Sequence, residues 1–224
     1  MASSTIANSV PARAARGPWR GRGTSLVEAL VALVVVSVGT LSMTSLQMMS
    51  KRTVRDAGQR LGAAELAHGL VERLRANSSP DALRTYVAAA SPYLGGGQRG
   101  DVPAPDCSST AACTPEQLAL FDLWLWEQVL DGVTEQVGTG ANTANVGGLQ
   151  LATACLAPPA TGAGTAGNYT LTIAFRGTTA MPERADVACG RDAIFADGTP
   201  LYGAANEYRR LVTVQAYIAP AIPK

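Results

Sequence analysis

The chain has 224 residues, about one ordinary domain plus extras. Lys and Arg number 18 against 17 Asp and Glu, so no global charge points to nucleic acid or another polyanion as partner. The lone histidine, His68, and four cysteines without a C-x-x-C spacing argue against a metal site, and no Ser/His/Asp, Cys/His or paired-acid motif marks a catalytic residue or calls for a cofactor.

The charge is nevertheless uneven. Arg13, Arg16, Arg20 and Arg22 stand before residue 24 in a stretch without any acid, and the remainder is mildly acidic. From Ala29 to Ser50 there is no charged residue, and Leu, Val and Met dominate. That is about the length that crosses a bilayer as a helix. The nearest acid is Glu28, set among Leu26, Val27, Ala29 and Leu30. The preceding arginines predict a cytoplasmic N-terminus by the positive-inside bias, with the rest of the chain exported. An ordinary secretory signal fits less well. The run is longer than a usual h-region, and no small-x-small site precedes a polar start.

The helical pattern continues past the apolar run. No proline occurs from Lys51 to Asn77, and Val54, Ala57, Leu61, Ala64, Val71 and Leu74 recur near helical spacing. A single helix from Ser25 to Ala76 would be roughly 75–80 Å long. Asn77-Ser78-Ser79-Pro80 supplies the stop.

Residues 23–33, Gly-Thr-Ser-Leu-Val-Glu-Ala-Leu-Val-Ala-Leu, resemble the class III signal of type IV prepilins and pseudopilins. The resemblance implies a cut between Gly23 and Thr24 by a membrane prepilin peptidase, N-methylation of Thr24, and Glu28 as the glutamate at the fifth mature position. Thr24 departs from the usual phenylalanine, and the leader is longer than the commonest ones. The chain then divides into a basic leader (1–23), a transmembrane and filament-core helix half (24–50), an amphipathic half (51–76) and a globular pilin domain (77–224). Glu28 also has a physical reading of its own. A carboxylate in hydrocarbon costs several kcal/mol unless neutralised. The α-amine freed on a neighbouring subunit by removal of Gly23 would neutralise it and fix the stagger between helices. The plainer alternative is a boundary glutamate that snorkels.

Residues 77–106 read as a loop-dominated connection with a short helix around Asp81–Ala90. Gly95-Gly96-Gly97 lacks the Lys-Ser/Thr and the strand–helix frame of a phosphate loop. The next helix has a clear start: Thr114 caps, Pro115 suits the first turn and Gln117 completes a capping box. Leu118, Phe121, Leu125 and Val129 form its expected apolar face, with Trp124 beside it and Trp126 and Leu130 broadening it. Residues 138–148 form a Gly/Asn/Thr-rich loop. Three alternating runs, Leu149–Cys155, Tyr169–Phe175 and Arg210–Ile218, read as half-buried strands, and residues 177–206 as a long connection crossing the sheet. The expected fold class is α+β, a type IV pilin-like fold with a long N-terminal helix packed on a small antiparallel sheet.

Cys107, Cys113, Cys155 and Cys189 allow three pairings, and an exported context favours disulfides. The segment Cys107-x5-Cys113-Thr114 followed by Leu118-Ala119-x2-Asp122-x-Trp124-x-Trp126 resembles PilV-type minor pilins. Spacing supports a small-loop bridge Cys107–Cys113, which leaves Cys155–Cys189 as the other, and closing the small loop is expected to hold Thr114 as cap and Trp124 against the sheet. The resemblance implies a low-abundance, assembly-initiating pilus subunit. Its partners would be the peptidase, the other minor pilins, the major pilin and the inner membrane, and no nucleic acid is expected. Before assembly the chain would sit single-pass in the inner membrane with a periplasmic domain, and afterwards in the extracellular pilus. A minor pseudopilin of a type II secretion system shares the signal. A membrane-tethered periplasmic enzyme and a pilus-tip adhesin are the readings from other classes.

Overall fold

The computed structural model describes residues 25–96, 100–108, 112–138, 140, 143–195 and 197–221. Eight elements follow in chain order: α1 (Leu26–Ala76), α2 (Pro80–Ala89), α3 (Pro115–Leu130), β1 (Gln136–Val137), β2 (Ala144–Asn145), β3 (Thr153–Ala157), β4 (Gly167–Arg176) and β5 (Arg209–Ile218). The chain divides into two units, Met1–Met48 and Met49–Lys224.

In the first unit the described residues are helical from Leu26 onward, and every one of them is exposed. A helix that is apolar all round has no single face to bury, which is the pattern of a membrane span or a bundle core. Its few polar side chains are satisfied locally. Ser37, Ser42 and Ser45 donate to the carbonyls of Leu33, Val38 and Ser42 at 2.6, 2.9 and 2.8 Å. Thr40 and Thr44 donate to Ser37 and Leu41 at 3.0 and 2.8 Å. Hydroxyls bonded back to their own helix cost little in hydrocarbon, where no water would satisfy them.

The second unit is built on the rest of α1. Ala63, Ala67, Leu70, Val71 and Leu74 are buried, spaced as one stripe of a helix. This stripe keeps Val71 and Leu74 of the expected face but is rotated ahead of them: Val54 and Leu61 are 69 % and 63 % exposed. The reason is size. Ala63 and Ala67 let the neighbouring chain approach the α1 backbone, and the Trp126 indole N–H reaches the Leu66 carbonyl at 2.8 Å.

Ser79 caps α2, accepting from the Ala82 N–H at 3.2 Å, and Pro80 takes the first helical position. In α3 both halves of the capping box form between Thr114 and Gln117. The buried side chains of α3 are Ala119, Phe121, Leu123, Trp126, Glu127 and Leu130, while Val129 is 40 % exposed. Phe121, Trp126 and Leu130 are buried as expected, but Leu118, Leu125 and Val129 are not, and Ala119 and Leu123 take their place in the core cluster shared with α2 and the sheet. Trp124 is corrected as well. Its indole donates to the Gly100 carbonyl at 3.1 Å and its ring lies 5.8 Å from that of Phe121, so it holds the connection rather than the sheet.

The main sheet is antiparallel in the order β3-β4-β5. The strand expected at Leu149–Cys155 begins later, at Thr153. Residues before it spend their backbone groups elsewhere: Leu149 N–H donates to Leu130 O at 3.0 Å and Gln150 N–H to Gln59 Oε1 at 2.7 Å. A second, two-stranded sheet pairs Gln136 with Asn145 and Val137 with Ala144, its second strand falling inside the stretch 138–148 expected to be loop. Alternation sorts β4 cleanly. Tyr169, Leu171, Ile173 and Phe175 join the helices in one core, and Ala174 lies on the other side with Ala193, Leu201 and Tyr202 of the long connection. Each fully buried Leu contributes roughly 1.5–3 kcal/mol, so the larger cluster dominates the stability of this unit. The result is the expected α+β architecture, a long N-terminal helix with small antiparallel sheets.

Gly95 shows why the glycine run is required. Its φ is +105°, and a Cβ there would lie 2.3 Å from the Ala152 carbonyl oxygen. The glycine backbone is instead read by α3: Gly95 N–H donates to Glu127 Oε1 at 3.0 Å and Gly96 N–H to Asp131 Oδ1 at 2.9 Å. Gly97 lies outside the described residues. Gly95→Ala should lower unfolding free energy by about 2–4 kcal/mol through backbone strain and displacement of the adjacent bridge between Leu94 and Ala154 of β3. Urea unfolding of the full chain in detergent checks this, and an unchanged midpoint contradicts it.

Candidate functional site

Two features of the structure bear on function: the bare apolar part of α1, and the ties that hold the second unit together. Leu26, Leu30, Leu33, Leu41 and Met49 are between 56 % and 76 % exposed. An exposed apolar surface of this extent marks a binding surface or a membrane contact. Glu28 lies in the first turn of the helix, exposed, with its backbone N–H donating to Ser25 Oγ at 3.2 Å. A carboxylate there also complements the helix dipole. Gly23 and Thr24, the expected cleavage and methylation positions, lie outside the described residues, as do the four leader arginines.

In the second unit one carboxylate joins three helices. Asp122 of α3 accepts from Arg73 of α1 at 2.8 Å and from the Tyr86 hydroxyl of α2 at 2.5 Å. Asn77, just past α1, donates to the Pro115 carbonyl at 2.7 Å. Tyr86 is fully buried, and its pKa is raised, first by that burial and then by its bond to Asp122. The phenol therefore stays a neutral donor to the carboxylate. Asp122 stands in the Cys107–Trp126 segment, where nothing in the sequence gives it a role.

The four cysteines are joined as Cys107–Cys113 and Cys155–Cys189, with Cα–Cα distances of 6.0 and 5.7 Å. Cys113 directly precedes the Thr114 cap, so the short bridge holds the start of α3. Cys189 ties the long connection to β3 on the sheet face away from the helices. A second pin escaped the sequence altogether. The Arg209 side chain, 1 % exposed, donates at 2.8 Å to the carbonyls of Arg184, Val187 and Cys189 and at 3.3 Å to Glu183 Oε1. Arg209 lies one residue ahead of the strand run expected at Arg210–Ile218.

His68 is exposed on α1. Among the described residues no group of three or more His, Cys, Asp and Glu side chains converges as a metal site would.

No curated protein and no solved structure matches the chain. One family model does: that of Tt1218-like proteins, described as type IV pilin Tt1218, which matches residues 45–124. The match runs from within α1, through α2, into α3, and so covers the helices tied by Asp122 but not the segment Gly23–Leu33. With the long helix and small antiparallel sheets, it supports a type IV pilin-like protein.

Proposed function

We propose that the chain is a minor pilin: a subunit cut between Gly23 and Thr24, methylated at Thr24, and assembled into a type IV pilus through α1. The observation that carries this reading is the apolar span of α1. Its most apolar stretch is wholly unburied, yet the same helix continues into the core of a disulfide-braced α+β unit. Such a helix has one end for lipid or a helical bundle and the other for its own domain. The stripe of Val54, Ala57 and Leu61, left exposed by the rotation of the buried face, extends the surface available to neighbouring helices. Catalysis has no part in this role.

Orientation rests on the signal more than on charge. Lys51, Arg52, Arg55 and Arg60 follow the apolar run as Arg13, Arg16, Arg20 and Arg22 precede it, so cation counting alone is nearly balanced. The proposed cut at Gly23 assigns the leader to the cytoplasm and the second unit to the periplasm. Oxidising conditions there would preserve both disulfides.

The expected result is recovery of the chain in filaments sheared from intact cells, at low abundance and dependent on prepilin peptidase. Retention of the entire pool in the cell envelope of piliated cells contradicts a pilus role. A secretion-system pseudopilin would give that second result.

A further inference from the structure

The residues just beyond the apolar run form an unclaimed charged surface. Lys51, Arg52 and Arg55 are all exposed. At spacings i, i+1 and i+4 they occupy about 100° of the helix circumference. None of them has an acidic partner among the described residues. The only acid in the stretch is engaged elsewhere: Asp56 Oδ1 accepts the Thr178 N–H at 3.2 Å, and its charge acts on Arg210. Gln59 likewise turns to the second unit, accepting the Gln150 N–H. The acceptors of this part of α1 thus face its own domain, and the cations are left outward. Arg60 is a turn further along, where its charge opposes that of Arg210.

Position decides what the three cations meet. Ala29 to Ser50 makes about 33 Å of helix, against about 30 Å of hydrocarbon. When that stretch spans a bilayer, residues 51–55 lie within about two turns of its edge, at the level of the headgroups. We propose that Lys51, Arg52 and Arg55 bind the phosphate diesters of anionic phospholipids such as phosphatidylglycerol. The inference rests on the membrane-spanning reading of α1. Guanidinium groups suit phosphate oxygens bidentately, and the lysine adds a point charge. Each cation held near an anionic surface strengthens association roughly five-fold. The collar would hold the waiting subunit at a fixed depth, and leaving the bilayer for a filament would require its release.

The test uses the full chain reconstituted in phosphatidylcholine vesicles containing a minor fraction of phosphatidylglycerol. Vesicle flotation is followed by mild detergent extraction and native mass spectrometry of the retained lipids. Wild type should float and retain phosphatidylglycerol over phosphatidylcholine on the order of tenfold above their bulk ratio. The variant K51Q/R52Q/R55Q should float and retain the two lipids in bulk proportion. R84Q, which removes an exposed cation paired with Asp81 in α2, should keep the enrichment. Flotation of wild type without enrichment, or enrichment that survives the triple substitution, overturns the lipid site and leaves the pilin reading standing. Failure of the chain to float contradicts the membrane-spanning reading and the lipid site with it.

Discussion

Replacing Glu28 with alanine should leave the chain in the membrane and deplete it from sheared filaments roughly tenfold or more. Removing a charge from an apolar helix eases insertion, since the carboxylate is the costly group in hydrocarbon. What the variant loses is the partner for the α-amine of a neighbouring subunit. Each 1.4 kcal/mol of lost pairing lowers incorporation about tenfold, and a desolvated charge pair exceeds that when one partner is removed. The first-turn position of Glu28 and the bare helix around it are compatible with such a contact. Quantitative blotting of membrane and filament fractions separates the two effects. Wild-type amounts of the variant in filaments contradict the register role, and loss from the membrane points to insertion instead.

Asp122→Ala should destabilise the second unit by about 3 kcal/mol. The substitution leaves the fully buried Tyr86 hydroxyl without its acceptor and Arg73 without its ion pair. An unsatisfied buried donor costs about 1–3 kcal/mol, and a broken buried pair about 3–5 kcal/mol. Arg73 is one-third exposed, which places the sum toward the lower part of that range. Tyr86→Phe should cost less, because Asp122 keeps Arg73 and no unpaired hydroxyl remains. Urea unfolding of both variants as full chains in detergent gives the order, with Asp122→Ala lower. A reversed order, or no loss for Asp122→Ala, contradicts the three-helix tie.

These two residues mark what was legible in the sequence. Local rules sufficed where the signal is local: the Thr114–Gln117 capping box, the Ser79-Pro80 start of α2 and the long helix itself follow from capping chemistry and unbroken periodicity. Strands β4 and β5 were found by alternation, because residues on each side of the sheet bury against a different cluster. The faces of the helices were legible only in part. Val71, Leu74, Phe121, Trp126 and Leu130 are buried as expected, but the periodic stripe also ran through Val54 and Leu61, whereas close packing chose Ala63 and Ala67, whose small size admits Trp126. Strand β3 was misplaced at its start because Leu149 and Gln150 bond to α3 and α1, contacts far away in sequence. The Arg209 pin stayed hidden for the same reason: its three carbonyl partners belong to a connection with no pattern of its own. The cut at Gly23 was readable only as a resemblance, whereas Glu28 stood out by itself as a carboxylate beside an uncharged apolar run.

The most direct test is therefore the mature N-terminus. Chain recovered from native membranes or sheared filaments should be intact from residue 24 onward, carry a monomethylated Thr24, and lack every residue of the leader. Top-down mass spectrometry reads all three at once. Retention of Met1, or a mature start at any residue other than Thr24, would contradict the class III reading and with it the assignment as a processed pilin.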